Sequence, residues 1–355
     1  MKIIDIKTEK ISIGLKKPFI TALRSLRSID SIVVKVITDE YIGYGAAAET
    51  AVITGDINSS IIGAIDYIKT FLIGKDISSF EKLMEILNNC IVGNTSAKAS
   101  IDMALYDLYG KLYKAPVYKL LGGYRDKLTT DITISLKSPD EMAIDSIQAV
   151  NQGFNALKVK VGNNSNLDIE RLKAIRKAVG NTVSIKVDAN QGWEAKEAVY
   201  VIKRMEQEDI NIDLAEQPVT AEDIDGLKYV TDNVNIPVLA DESVFSPMDA
   251  MNIINNRAAD MINIKLMKTG GIYNALKIVS LAETVGMKCM IGSMMENIIG
   301  VTAAAHLGAA KANIIEVDLD VPLLCSENPI DGGIVYDKNN MILGIDSGLG
   351  FNDIF

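Results

Sequence analysis

The ionisable residues best able to do chemistry in this sequence stand at the ends of short apolar runs. Lys158 and Lys160 lie in the run 156–161, Asp188 closes 183–188, Glu216 closes 212–216, Asp241 closes 237–241 and Lys265 closes 261–265. Asp318 and Asp320 end the run that begins at residue 314. Strands buried on both faces should be almost wholly apolar, so amines and carboxylates concentrated at strand tips mark a site rather than solvated turns. If Asp188, Glu216 and Asp241 come from adjacent strands, with backbones about 4.8 Å apart, three ionised carboxylates repel and one would take a proton. A hard divalent cation removes that conflict, and three oxygen ligands with the remaining positions open suit Mg2+, one per chain. Ion pairs with the nearby lysines would satisfy the same carboxylates without a metal, and the spacing alone leaves that alternative open.

The lysines have a geometry of their own. Lys158 and Lys160 are two residues apart and so share a strand face, with Val159 on the other. On the sixth run Asn263 and Lys265 share a face, while Lys268 falls beyond the strand and off that alternation; Lys265 is therefore chosen over Lys268. In a ring of eight strands the second and sixth are opposed, which puts one amine on each side of anything held by strands three to five. Such a pair suits proton removal next to a carboxylate, where one lysine takes the proton from one face and the other returns it to the opposite face. The developing charge needs a cation and a further amine, Lys158, to meet it. Lysine serves as a base near neutrality when burial and neighbouring cations lower its pKa. The single histidine, His306, lies in a small-residue helical stretch and reads as a packed helix residue; histidine triads and multi-histidine metal sites are excluded.

The elements that must position these residues follow a regular plan. Strand-like runs at 130–136, 156–161, 183–188, 212–216, 237–241, 261–265, 288–292 and 314–318 are mostly separated by amphipathic segments of helical length, such as 168–179 and 195–206. This repeat predicts a (β/α)8 TIM-type barrel, whose catalytic mouth lies at the strand tips, with a doubly wound open sheet as the alternative. Ahead of it, alternating strands at 2–13, 31–38 and 41–47 and helical periodicity at 58–73, 79–91 and 96–113 predict an α+β capping domain. The domain boundaries read 1–125 for the cap, 126–328 for the barrel and 329–355 for a segment returning to the cap. Thirty-six basic against 46 acidic residues give a net charge of −10, which argues against nucleic-acid binding. Three separated cysteines, no signal-peptide core and no apolar stretch of membrane-spanning length indicate a cytoplasmic protein without a membrane partner. A homo-oligomer is compatible with all of this.

The segments Ala156-Leu157-Lys158-Val159-Lys160-Val161-Gly162, Val187-Asp188-Ala189-Asn190-Gln191-Gly192-Trp193, Ala215-Glu216-Gln217-Pro218, Ala240-Asp241-Glu242-Ser243 and Asn263-Ile264-Lys265 resemble the motif set of the enolase superfamily, muconate-lactonizing subgroup. The resemblance covers essentially the whole chain and implies a Mg2+ held by Asp188, Glu216 and Asp241, with Lys160 and Lys265 as the acid/base pair. Asp318 and Asp320, on one face of strand eight and across the ring from strand four, would attract a substrate ammonium about a barrel width from the metal. That pattern resembles dipeptide epimerases, and Arg24, in the stretch that closes over the barrel mouth, resembles the arginine that pairs with a substrate glutamate side chain. Arg27 is its competitor for that role. The segment 52–56 resembles a second capping loop, with no contact assigned. The implied activity is epimerisation of an L-Ala-L-Glu or L-Ala-D-Glu type dipeptide at its C-terminal residue, in salvage of cell-wall peptides. Alternatives are an N-acylamino-acid racemase or o-succinylbenzoate synthase sharing the half-reaction, a Schiff-base aldolase, and a non-catalytic binding protein on a degenerate barrel.

Overall fold

The computed structural model describes residues 1–352 and Ile354. Its first unit is an antiparallel meander of β1 (Ile3–Ile20), β2 (Ser25–Thr38) and β3 (Ile42–Ala48), covered by α1 (Asn58–Leu72), α2 (Phe80–Asn89), α3 (Thr95–Leu112) and α4 (Val117–Leu121). Buried Ile3, Ile6, Ile32, Val34 and Val36 supply the sheet's share of the core, each contributing about 1.5–3 kcal/mol relative to exposure. Helix α3 lies directly on β3 because Gly43 and Gly45 have no side chain there: a Cβ on Gly45 would meet the Ser100 carbonyl at 1.8 Å. The ribbon formed by β1 and β2 is longer than the alternation predicts, because Lys16, Lys17 and Pro18 interrupt the pattern without ending the strand; the pairing is irregular between Gly14 and Phe19 and resumes at Phe19 with Leu26. This extension carries the turn at residues 21–24 over the second unit.

That unit begins after a short strand, β4 (Lys127–Thr129). Eight parallel strands follow: β5 (Ile132–Ile134), β6 (Ala156–Lys160), β7 (Ser184–Asp188), β8 (Leu214–Glu216), β9 (Val238–Ala240), β10 (Met261–Lys265), β11 (Lys288–Gly292) and β12 (Ile314–Asp318), each beside its neighbour in sequence. The crossovers are α5 (Pro139–Asn151), α6 (Ser165–Val179), α7 (Ala195–Gln207), α8 (Ile224–Asn233), α9 (Pro247–Asn256), the one-turn α10 (Leu266–Thr269) leading into α11 (Ile272–Thr284), and α12 (Ile298–Ala310). The two ends of the sheet meet through Asp131 N–H to the Val317 carbonyl (3.2 Å), Leu319 N–H to Thr130 Oγ1 (2.9 Å) and Thr133 N–H to Asp320 Oδ2 (2.6 Å). The architecture is thus the barrel with an antiparallel cap that the sequence predicts, with one difference. After the eighth strand comes only the four-residue α13 (Val321–Leu324). The chain then forms the hairpin β13 (Val335–Asp337) and β14 (Asn340–Ile342), which pairs with β4. It returns to α3, where Leu349 N–H reaches Asp107 and the Phe351 carbonyl accepts from Lys111.

His306 is buried in α12, as its surroundings predict; its Nδ1 accepts the Tyr118 N–H at 3.0 Å. Among the described residues no helix is long and apolar enough to cross a membrane.

Candidate active site

Strand alternation carries the predicted residues inward. Leu157 and Val159 pack outward into the core, while Lys158 and Lys160 turn into the barrel. Lys158 Nζ contacts Asp318 Oδ2 and Glu216 Oε2, both at 2.7 Å, and Asp188 Oδ2 at 3.2 Å. Lys160 Nζ is 2.6 Å from Asp188 Oδ2. From the opposite side, Lys265 Nζ is 2.5 Å from Asp241 Oδ2. Glu216 Oε1 accepts from Asn263 Nδ2 at 2.8 Å. The structure therefore brings Lys158, Lys160, Asp188, Glu216, Asp241, Lys265 and Asp318 into one buried cluster. Asp320 lies at its edge, where its Oδ2 is engaged by the Thr133 N–H.

One expected distance is corrected. Asp318 is not a barrel width from the three central carboxylates, because a single ammonium touches both it and Glu216. Lysine side chains are long enough to fill a small barrel, and Lys158 spans the gap between strands eight and four.

Sequence reasoning passed over Lys268, Asn190 and Glu242. Lys268 enters from α10, off the strand alternation, and is fully buried with Nζ 2.6 Å from Asp241 Oδ1 and 3.0 Å from the Asn263 carbonyl. Asn190 Nδ2 donates to Glu242 Oε1 at 3.2 Å. Asn190 stands two residues beyond Asp188, a signal the alternation could have supplied. Glu242 had none, since β9 ends at Ala240 and the backbone leaves the strand.

The charges settle unevenly. Burial would raise the Asp188 carboxyl, but Lys160 and Lys158 hold it at about 2. Asp241 is likewise driven below the ordinary carboxylate range by Lys265 and Lys268 against the cost of burial. Glu216 goes the other way: burial and the neighbouring Asp188 push it up to about 7 despite Lys158. Burial and Asp241 lift Glu242 to about 8, and burial with Asp318 lifts Asp320 to about 6. Burial pulls the Lys265 amine down, yet Asp241 keeps it above its ordinary value. The lowered pKa expected of this lysine is thus not found while it pairs with Asp241, because the carboxylate's field outweighs desolvation.

The donor set suits a hard divalent cation. Asp188 and Glu216 at the tips of β7 and β8, and Asp241 just past β9, offer only oxygen donors, and Glu216 Oε2 accepts no hydrogen bond, its contact with Lys158 being an ion pair. Among the described residues no three acidic groups already stand at ligand spacing; the three carboxylates are instead paired with Lys158, Lys160, Lys265 and Lys268. A cation and the lysines would compete for the same oxygens.

A small cavity of about 60 Å3 opens above this cluster, lined by Lys158, Lys160, Lys265, Asp318, Asp320 and Arg24 among others. Its roof comes from the cap: Phe19, Thr21 and Leu23 from the β1–β2 turn, and Val52 and Ile53 from the second loop. The Phe19 ring centre is 5.9 Å from Lys160 Nζ. Arg24 is half-buried in this roof while Arg27 is exposed and does not line it, which separates the two arginines. Binding sites for small molecules usually measure some 300 Å3 or more, and the side chains that keep this cavity smaller are those of the roof and of the three lysines below it.

A capped parallel barrel whose strand tips gather carboxylates between two opposed lysines defines an acid/base enzyme of the barrel class. Residues 3–122 match the mandelate racemase/muconate lactonizing enzyme N-terminal domain and residues 141–352 the enolase C-terminal domain-like model, and the chain belongs to this family. It is 57% identical to an L-Ala-D/L-Glu epimerase of Clostridium acetobutylicum, covering 100% of this chain and 99% of that one. Among solved structures, a substrate-liganded complex of the L-Ala-D/L-Glu epimerase from Bacillus subtilis superposes with a TM-score of 0.98 at 46% identity, covering 99% of this chain and 98% of that one. A dipeptide epimerase from Enterococcus faecalis complexed with Mg and L-Leu-L-Tyr gives a TM-score of 0.96 at 42% identity, covering 99% of each chain.

Proposed function

We propose that this chain epimerises dipeptides at the α-carbon of the C-terminal residue, with L-Ala-L-Glu and L-Ala-D-Glu as the interconverted pair. The observation that carries this reading is the placement of Lys160 and Lys265 at opposite ends of the carboxylate row, one on Asp188 and the other on Asp241. Similarity to L-Ala-D/L-Glu epimerases along the full chain supports it.

Asp188, Glu216 and Asp241 would hold one Mg2+ per chain, which would supply Lewis-acid charge to a substrate carboxylate. Lys160 and Lys265 both line the cavity. One amine removes the α-proton and leaves its electron pair delocalised into the carboxylate; the ammonium on the opposite face delivers a proton to the same carbon. Lys158, held charged by Asp318, Glu216 and Asp188 despite burial, stabilises the negative charge that develops. Asp318 and Asp320 receive the substrate ammonium, and Arg24 meets the glutamate side chain with a bidentate pair. The roof formed by residues 19–24 and 52–53 excludes water during the reaction. Salvage of cell-wall peptides in the cytoplasm is the setting that such a substrate suggests.

Incubation with L-Ala-L-Glu and Mg2+ in D2O tests the reading. Deuterium should enter the glutamate α-position as the diastereomer forms. A protein that exchanges N-acetylated amino acids but no dipeptide would be an acylamino-acid racemase instead, and a protein that exchanges neither would overturn the proposal.

A further inference from the structure

The cavity over the lysines is not the only one of consequence. A second, of about 350 Å3, opens between the Lys16, Lys17 and Phe19 stretch of β1, strand β5, helix α5 and the chain around α13. It occupies the side of the barrel where an eighth crossover helix would pack, and where this chain has only the four-residue α13. Ile132 and Ile134 of β5, Phe154 and Leu324 give it an apolar wall.

Its rim is cationic. Lys16, Lys17, Lys137 and Lys338 line it against a single carboxylate, Asp145. That carboxylate is shared by Lys17 at 2.7 Å and Lys137 at 2.5 Å. Lys16 Nζ donates to a neutral group, the Leu323 carbonyl, at 2.9 Å, and among the described residues no carboxylate lies within ion-pair distance of Lys338. The rim thus carries a local surplus of three positive charges on a chain of net charge −10. Apolar walls under a cationic rim match a ligand with the inverse pattern.

We propose that this cavity binds a small amphiphilic anion, its carboxylate-type head among the rim lysines and its apolar body against Ile132, Ile134 and Phe154. Two residues join it to the catalytic cavity. Phe19 lines both, with its ring facing Lys160, and Thr133 lines both, with its N–H on Asp320. An occupant would therefore lie one side chain from a reacting amine and one hydrogen bond from the ammonium-binding carboxylates, the position of an effector. Binding in this cavity does not depend on the epimerase reading, whereas the position of an effector rests on the roles that reading gives Lys160 and Asp320.

The fluorescent probe 8-anilinonaphthalene-1-sulfonate carries a sulfonate on two apolar ring systems. Titrated against the full chain with Mg2+ present at neutral pH, it should show saturable binding at one site per chain. Lys16→Gln combined with Lys137→Gln should weaken that binding about tenfold, the scale of a lost charge-assisted contact. Arg24→Ala, in the wall of the catalytic cavity alone, should leave it unchanged. The uncharged N-phenyl-1-naphthylamine should bind about tenfold more weakly to the unaltered protein, by the same loss of charge-assisted contact, a comparison that requires no variant. Absence of saturable binding, equal binding of the uncharged probe, or a loss with Arg24→Ala equal to that of the lysine variants would each overturn the proposal.

Discussion

Lys160 pairs with Asp188 and Lys265 with Asp241, so the roles of these two lysines separate by substitution. Lys160→Ala and Lys265→Ala should each abolish epimerisation, by at least about three orders of magnitude for loss of a general acid or base. Each should nevertheless leave α-proton exchange measurable from the diastereomer whose proton faces the surviving amine. Loss of exchange from both diastereomers in both variants would show that the lysines do not act face by face. Arg24→Ala should raise KM for acidic dipeptides about tenfold or more, as loss of a charge-assisted pair does, and spare apolar ones; equal impairment of both would remove its assignment. Competition between cation and lysines for Asp188 and Asp241 also has a thermodynamic consequence. Mg2+ that binds only the folded chain at a hundred times its Kd should stabilise it by about 2.7 kcal/mol, and EDTA should reverse the gain; a midpoint of unfolding indifferent to Mg2+ would argue against a metal at the three carboxylates.

At the scale of elements, the loops after the first three barrel strands are fastened together by one buried ion pair. Asp168, in the first turn of α6, accepts from Gly162 N–H at 2.9 Å and from Trp193 Nε1 at 3.2 Å on one oxygen, and from Arg171 at 2.8 Å on the other. Arg171 continues to the Lys137 carbonyl at 2.7 Å and to Asn163 Oδ1 at 2.9 Å. Gly162 follows the strand bearing Lys160, and Trp193 follows the one bearing Asp188. Asp168→Ala would strand a buried guanidinium and two donors, a loss of about 3–5 kcal/mol, and should lower kcat more than it raises KM. Trp193 is the sole tryptophan, so its emission reports on this loop directly: a red shift is expected in Asp168→Ala, and much less of one in Asp168→Asn, which keeps an acceptor. Unchanged emission and turnover in the alanine variant would deny the pair a positioning role. None of this hub was legible in the sequence, because Asp168 reads there as an ordinary acidic residue of a helix's first turn. What was legible obeys strand alternation: Lys158, Lys160 and Lys265 sit where period two puts them, and Asp188, Glu216 and Asp241 at the tips of apolar runs. Lys268 escaped because it comes from a helical turn, and the length of the β1–β2 ribbon escaped because Lys16, Lys17 and Pro18 look like a strand end.

The whole molecule depends on the cap staying seated on the barrel, and the chain's one histidine lies on that junction. His306 in α12 receives the Tyr118 N–H from α4 of the cap, with the two rings 5.6 Å apart edge to face. An acceptor nitrogen in a buried setting must stay unprotonated, and burial holds His306 down at about 3, against about 6.5 in an unfolded chain. Below 6.5 the unfolded state therefore binds a proton that the folded state refuses, so the contribution of His306 is fully present above that pH and is lost as pH falls toward 3. Between pH 7 and pH 5 the loss comes to about 2 kcal/mol. Carboxylates raised by burial act in the opposite sense: Asp102 of α3, lifted to about 8 while it accepts from Ile272 and Tyr273 at the start of α11, favours the folded state as pH falls. The net slope of the protein consequently does not report on the histidine, but a comparison does. Urea unfolding of the natural sequence and of His306→Gln, at pH 7 and at pH 5, should show the variant losing about 2 kcal/mol less over that interval. Glutamine retains an acceptor for Tyr118 N–H and takes up no proton, so parallel pH dependence in the two proteins would mean that His306 does not hold cap to barrel in its neutral form.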